Sequence, residues 1–406
     1  MACVLSAQPN PTLPKPGKPA MKFANVTNWP AGVMPKAPTG FTVSLYASDL
    51  DSPRWLYVLR NGDVLIAEAT TEELKGVPPE MLAGLKGAKM TGKSANRITL
   101  LRDANKDGKP EVREIFLQRL KQPFGMALVK DSLYVANTDS VMKFPYKSGA
   151  TKIAGAGAKV LDLPAGGYNN HWTRNILANA AGSKLYVTVG SQTNVDEEGL
   201  DAKEPRRAAI LEINPDGSGM RIFASGLRNP NGLGWAPGTQ TLFTAVNERD
   251  MLGDDLVPDY LTSVRDGAFY GWPYSYFGQN EDPRQKGKRP DLVTKAVAPD
   301  FALGAHTASL GLAFYEGNLF PASYRGGAFV GQHGSWNRSK FSGYKVVFVP
   351  FRSGRPSGAA QDFLTGFIKN EEAGEVYGRP VGVAALPDGS LLVADDAAGK
   401  IWRVAK

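Results

Sequence analysis

The sequence predicts an all-β fold: a six-bladed β-propeller of four-stranded blades, its ring closed by an N-terminal strand that completes the last blade. Three observations predict it. One phrase recurs along the chain: a polar entry loop, an apolar strand, a Gly/Asn/Asp turn and a second strand of the LYV or LLV type. Several copies run on into a further hairpin, which makes four strands per copy. The last copy runs out after KIWRVAK, a third strand, and the missing fourth strand reads FTVSLYASDL at residues 41–50. A strand given by one end of the chain to the blade at the other leaves no open edge.

The copies follow in order. The first is SPRWLYVLRNGDVLIAEA after Asp49-Leu50, the second QPFGMALVKDSLYVAN after Arg119-Leu120, and the third NNHWTRNILANAAGSKLYVTVGS. The fourth is the template, Arg221 to Asp250. There the polar stretch Arg228-Asn229-Pro230-Asn231-Gly232 reads as a loop ahead of the runs LGWA and TLFTAV. The fifth spans Thr307 to Gly334, and the sixth is GRPVGVAALPDGSLLVADD from Gly378. The hairpins RITLLRDANKDGKPEVREIFL, AAILEINPDGSGMRIFASGL and YKVVFVPFRSGRPSGAAQDFL supply third and fourth strands. An open β-sandwich is the alternative fold, and six phased copies argue against it.

The phase of the repeat sorts the loops. Strands in a blade alternate in direction, so loops entering first strands share a face with loops leaving second strands. That face receives Arg54, Gln122, His171, Arg228, Asn229 and Arg379, together with 190–194, 247–255, 333–338 and Asp395-Asp396. The other face receives the turns at Asn61-Gly62, Asp131-Ser132, Asp216-Gly217 and Asp388-Gly389, which are ordinary hairpin chemistry. Two insertions, 70–95 with a predicted short helix and 252–305 with the aromatic run Tyr270 to Tyr276, are both expected to start on the functional face.

Composition sets limits. With 406 residues, 42% of them hydrophobic, the chain is long enough for one large propeller domain over 41–406, and the Pro-rich stretch 1–40 reads as a flexible or extended lead-in. No apolar run approaches the ~20 residues that span a bilayer. The net charge of +8 comes from scattered Lys and Arg without a basic run, which argues against a nucleic-acid partner. Cys3 is the one cysteine, so no disulfide framework, cysteine metal cluster or CxxCH haem attachment is available. MACVLSA is too short for a signal peptide; it reads as the remnant of a trimmed one, as a stretch with a lipid-attachment site at Cys3, or equally as an ordinary chain end.

Three histidines, His171, His306 and His333, all map to the functional face. HExxH-type spacing is absent, so at least one reads better as a general base than as part of a three-histidine zinc site. Arg54, Arg228, Arg338 and Arg379, with Lys340 nearby, converge on the same face, which points to an anionic ligand, the alternative being an unliganded ion-pair ring with Glu248, Asp250 and Asp395. The loop NERDMLGDD (247–255) is rich in oxygen donors and suits Ca²⁺, or is a solvated charged loop. Asp103, Asn105, Asp107 and Gly108, followed by Glu114, match an EF-hand loop pattern, but in a hairpin on the opposite face without helices.

The loops NNHW, SGLRNPNGL, NERDMLGDDLVPDY, FYGWPYSYFG, HGSWNRSKFSGYKVVFVPF and GRPVGVAALPDGSLLVADD resemble those of the soluble quinoprotein sugar dehydrogenases, of the glucose and L-sorbosone dehydrogenase type and its aldose sugar dehydrogenase branch. The resemblance extends over 41–406 and implies a six-bladed propeller that binds pyrroloquinoline quinone (PQQ) and Ca²⁺. It also implies oxidation of an aldose or related sugar by hydride transfer to the quinone, and an external electron acceptor. A periplasmic or secreted location follows from the same resemblance. By it, His171 is the catalytic base and Arg228 the arginine beside the reactive carbonyl. Gln122, Asn229, Arg379 and Arg338 or Lys340 line the cofactor, and Glu248, Arg249 and Asp250 stand in the place of the carbonyls that bind Ca²⁺. The residues alone leave two other readings open, a Ca²⁺-dependent lactonase or other hydrolase, and a binding propeller without chemistry.

Overall fold

The structure is a computed structural model and describes residues 11–72, 77–166 and 171–406. Cys3 and the two asparagines of NNHW lie outside the described residues. The chain is all-β with little helix, and among the described residues it forms six four-stranded antiparallel sheets. The first two strands of each sheet fall on the recurring phrase: Pro53–Val58 with Val64–Glu68, Met126–Val129 with Ser132–Ala136, and Ile176–Ala178 with Leu185–Val189. Asn229–Trp235 with Leu242–Asn247, Ser309–Phe314 with Ala328–Gln332, and Pro380–Ala385 with Leu391–Asp395 complete the set. Second strands such as Val64–Glu68, Leu185–Val189 and Leu391–Asp395 are buried at every position. Both faces of each are covered by neighbouring sheets, which is why they read as continuous apolar runs.

The sixth sheet takes its outer strand, Thr42–Ala47, from the N-terminal part of the chain, paired antiparallel with Lys400–Ala405. First strands of successive sheets touch one another. Leu128 N–H donates to the Tyr57 hydroxyl oxygen at 2.9 Å, Gly125 N–H reaches Arg174 O at 2.9 Å, and Asn175 Nδ2 reaches Asn231 O at 2.9 Å. Further round, glycines permit the approach. A Cβ on Gly232 would meet Leu312 at 2.5 Å, one on Gly311 would meet Val381 O at 2.1 Å, and one on Gly382 would meet Arg54 O at 2.8 Å.

Two expectations change. Arg228 to Gly232 is not a free loop: Asn229–Trp235 is a strand with a bulge between Pro230 and Leu233. A first strand has one unpaired edge, where a proline costs no ladder bond. The stretch 252–305 is not one insertion, because Pro258–Ser263 and Phe301–Ala305 are the third and fourth strands of the fourth sheet. The excursion between them therefore leaves from the opposite face. It returns along the outer strand of the third sheet, Ser225 pairing in parallel with Phe269, until Trp272 Nε1 reaches Asn194 O at 2.9 Å. The first insertion does contain a helix, Pro79–Gly87, with proline in its first turn, Glu80 near its start and Lys86 near its end.

The described part of the Pro-rich lead-in is extended and bonded to the functional face. Gly17 N–H reaches Leu252 O, and Lys22 N–H reaches Trp336 O, both at 2.8 Å. Asn25–Val26 pairs in parallel with Glu375–Val376. Trp29 is buried, and its Nε1 donates to Asp395 Oδ2 at 2.7 Å. No helix among the described residues is long and apolar enough to cross a membrane.

Candidate active site

A cavity of about 370 Å³ opens where entry loops and second-strand loops meet, and all three histidines line it. Arg54, Arg228, Asn229, Glu248, Asp250 and Arg379 line it as well. The repeat phase placed each of these on one face, and the folded chain brings them around one space.

His171 is buried, with Nδ1 2.8 Å from Ser191 O and 3.0 Å from Ser191 Oγ. A carbonyl oxygen only accepts, so Nδ1 carries the proton and Nε2 keeps the lone pair. Burial, followed by the charge of Arg228, pushes this imidazole well below its ordinary pKa, so it is neutral at pH 7. Its side chain sits against Gly190, where a Cβ would come within 2.6 Å of His171 Cβ and 2.5 Å of Asn229 Oδ1.

Arg228 is fixed by four bonds: Nε to Asn194 O at 3.1 Å, Nη1 to Glu248 O at 2.5 Å, and Nη2 to Asn194 Oδ1 at 2.9 Å and Asp250 Oδ2 at 3.1 Å. Asp250 also faces His306 Nδ1 at 3.5 Å, and His306 Nε2 lies 2.8 Å from Gly253 O. Burial is the largest single influence and works to lower the His306 pKa, but the bond to Asp250, the charges of Asp250 and Asp259 and the bond to Gly253 O together leave the imidazole raised. On the far side His333 Nε2 contacts both oxygens of Asp396, at 2.9 and 3.0 Å. Arg379 donates to His333 O at 3.0 Å and Gly334 O at 2.8 Å.

Two buried acceptors in the cavity wall, Asn229 Oδ1 and Glu248 Oε1, have no donor among the described residues, and neither does the buried donor Arg54 Nε have an acceptor. Burial pushes the Glu248 carboxyl up to about 7 and the neighbouring Asp259 up to about 6. Orphaned oxygens beside a carboxyl that is costly to ionise suit a cation, and an orphaned guanidinium N–H suits an anion. In the 248–250 loop, Glu248 O accepts from Arg228 and Asp250 O from Asn194 Nδ2 at 3.0 Å, whereas Arg249 O accepts no bond among the described residues.

Four expected site residues stand apart from the cavity lining. The Gln122 side chain is buried and donates to Thr70 O at 2.9 Å. Arg249 turns its side chain away to pair with Asp282 at 3.1 Å, where both are nearly inaccessible. Arg338 is drawn outward by Asp254 O at 3.0 Å and Asp255 Oδ1 at 2.8 Å, and Lys340 is exposed. Asp259, Asn337 and Trp336 line the cavity without having been singled out. Asp259 accepts from Glu248 N, Thr307 Oγ1 and Ser309 N at 2.8, 2.9 and 2.9 Å, and its signal in the sequence is only an acid within a strand. The Asp103 hairpin gathers Asp103, Asp107 and Glu111, not Glu114, which pairs with Lys152 at 2.9 Å.

The site is thus a cavity in an all-β scaffold whose lining gathers histidines, arginines and orphaned oxygens. Residues 134–337 match the glucose/sorbosone dehydrogenase family model, and 277–406 match a TrAA12-like model. The chain belongs to the glucose/sorbosone dehydrogenase family and is homologous to PQQ-dependent sugar dehydrogenases. An uncharacterized protein of Borreliella burgdorferi is 32% identical over 297 residues, 70% of this chain and 76% of that one. A PQQ-dependent pyranose dehydrogenase of Coprinopsis cinerea is 36% identical over 125 residues, which spans 26% of this chain and 16% of its own length. The holo PQQ domain of the Coprinopsis cinerea pyranose dehydrogenase superposes with a TM-score of 0.73 at 21% identity, over 95% of this chain and 100% of that domain. A calcium structure of a Trichoderma reesei enzyme of carbohydrate-active family AA12 does so with a TM-score of 0.73 at 18% identity, over 91% and 96%. At such identities the superpositions speak for the fold.

Proposed function

We propose that the chain is a PQQ- and Ca²⁺-dependent dehydrogenase that oxidises an aldose or related sugar at this cavity and passes electrons to an external acceptor. In this reading the six sheets are the blades of a ring closed by Thr42–Ala47, and 41–406 is one catalytic unit. Support for the ring comes from the contacts that link each first strand to the next. The observation that carries the function is the pairing of a neutral His171, its Nδ1 pinned by Ser191, with Arg54, Arg228 and Arg379 around one cavity.

The residues present fit both partners. Arg54 and Arg379 answer the carboxylates of a flat tricarboxylate, with the unpaired Arg54 Nε free to donate. Asn229 Oδ1 and Glu248 Oε1 offer oxygens to Ca²⁺, and a bound cation would hold the Glu248 carboxyl ionised. PQQ, when bound, supplies the hydride acceptor. His171 Nε2 takes the proton from the sugar hydroxyl, which its depressed pKa allows at neutral pH. Arg228, held in place by Asn194, Glu248 and Asp250, presents positive charge to the developing oxyanion without needing to reorganise. Periplasmic or secreted residence suits a chain that hands electrons to an outside acceptor.

The test is reconstitution: apo protein is loaded with PQQ and Ca²⁺ and assayed for dye reduction with a panel of sugars. Sugar-dependent reduction that needs both additions is the expected result. PQQ binding without reduction of any sugar, or lactone hydrolysis with Ca²⁺ alone, would overturn the reading.

A further inference from the structure

The cavity lining has two chemically unlike parts. Beside the ionic groups, the lining includes Val77, Pro78, Met81, Leu85, Met90 and Trp336, whose side chains offer no strong hydrogen-bonding group except the indole N–H. Five of these come from the loop that carries the helix Pro79–Gly87, which Thr71 and Thr91 close at its base. The wall is fixed from outside by the N-terminal segment. Phe23 stacks on Trp336 with ring centroids 5.7 Å apart and planes 12° from parallel. Gly84 makes room for that ring, since a Cβ there would lie 2.4 Å from Phe23. Lys22 N–H to Trp336 O at 2.8 Å and Asn337 Nδ2 to Ala20 O at 2.7 Å tie the same loop to the strap. Helix, strap and Trp336 therefore form a pre-set apolar part of the same cavity lining that includes His171.

We propose that this wall selects the substrate: the site takes a sugar ring bearing an apolar edge or substituent, such as a deoxy carbon or an alkyl or aryl group, in preference to its fully hydroxylated counterpart. The proposal rests on the reading that the cavity oxidises a sugar. A hydroxyl pressed against Met81 and Leu85 leaves water and finds no replacement partner, whereas a C–H or aryl face loses nothing and gains contact. Met81 and Leu85 are specificity residues, and Phe23 is a positioning residue that acts through Trp336.

Two measurements test this. The first is calorimetric binding of phenyl and methyl β-D-glucopyranoside to the protein as purified and after loading with PQQ and Ca²⁺. The second is the kcat/KM ratio of 6-deoxy-D-galactose to D-galactose. Wild type should bind the phenyl glycoside and turn over the deoxy sugar about 10–100-fold better, the range in which a hydrophobic pocket discriminates a hydroxyl. Met81→Gln, a near-isosteric change on a half-buried position, should bring both ratios close to one without weakening PQQ binding, and Leu85→Asn should do the same if it folds. Phe23→Ala should raise KM for the deoxy sugar more than it changes kcat, with Phe23→Tyr restoring it. Equal affinities in wild type would overturn the proposal, as would variants that weaken PQQ binding and leave the ratios alone, since the wall would then touch cofactor. Sugar turnover without preference sinks the wall alone. A phenyl preference in binding without turnover of any sugar sinks the dehydrogenase reading and leaves the wall standing.

Discussion

Arg54 Nη1 lies 2.6 Å from Asp396 Oδ2, and both side chains are almost completely buried. Burial pushes the Asp396 carboxyl up, but His333, Arg54 and Arg379 around it bring it below its ordinary value. His333 is itself pushed down to about 3 by burial and Arg379, so it is uncharged at neutral pH, and the arginines are the cations that hold Asp396 ionised there. A carboxyl depressed in the folded state contributes stability that is present above its unfolded value of 3.8 and is lost as pH falls through the folded value. Asp396→Asn should therefore cost about 3–5 kcal/mol at pH 7, because it leaves Arg54 buried and unpaired. It should also remove part of the acid-side slope, which urea melts from pH 7 down to pH 3 would reveal.

His171→Gln should keep PQQ, which is held by other groups, while single-turnover reduction of the loaded protein by sugar falls about 10²–10⁴-fold. Near-normal reduction in this variant would remove His171 from the mechanism.

The same histidine sets a pH limit. Its folded pKa lies well below 6.5, so it stays in the proton-accepting form as pH falls through the range where an ordinary imidazole becomes charged. The acid limb of kcat/KM should accordingly lie below pH 6.5. A limb at or above that value assigns it to another group.

Gly190→Ala probes the close packing behind the base. The new methyl would overlap both Asn229 Oδ1 and His171 Cβ, so the ring and the amide must shift together. A stability loss of about 1–3 kcal/mol is expected from overpacking, with a fall in kcat/KM of roughly 10²-fold from misplacement of the base. Thermal melts and steady-state rates separate the two effects.

Removal of the metal gives the remaining prediction. Excess chelator should release PQQ from loaded protein and lower its melting temperature by mass action. Arg379→Ala should also weaken PQQ binding, and its melting temperature should drop even without cofactor, since Arg379 bonds His333 O and Gly334 O. Cofactor absorbance that survives chelation excludes the metal from holding the quinone.

Much of the scaffold was legible because its signal is local. First and second strands announce themselves through short apolar runs around Gly, Asn or Asp turns, and all six pairs stand where the repeat put them. The gathering of three histidines followed from strand direction alone. Pro258–Ser263 was not legible, since PDYLTS begins with proline and lacks apolar alternation; its burial comes from neighbours distant in sequence. The ordered strap 11–40 was hidden for a similar reason. Its apolar residues are interrupted by prolines and follow neither a helix nor a strand period, and its place depends on single anchors such as Trp29 on Asp395. Whether a loop cation turns inward was the least visible feature. Arg338 and Arg379 occupy comparable loops, but Asp254 and Asp255 draw one outward while the carbonyls of His333 and Gly334 hold the other within.

The pairing of Thr42–Ala47 with Lys400–Ala405 also imposes an order on synthesis. At ~5–20 residues per second, roughly 20–70 s separate the emergence of the first of these strands from that of the second. Throughout that interval the early strand has no partner, and the other five sheets can form without it. This pairing is a contact of very long sequence separation, so it forms slowly compared with a hairpin and is sensitive to anything that captures a lone strand edge.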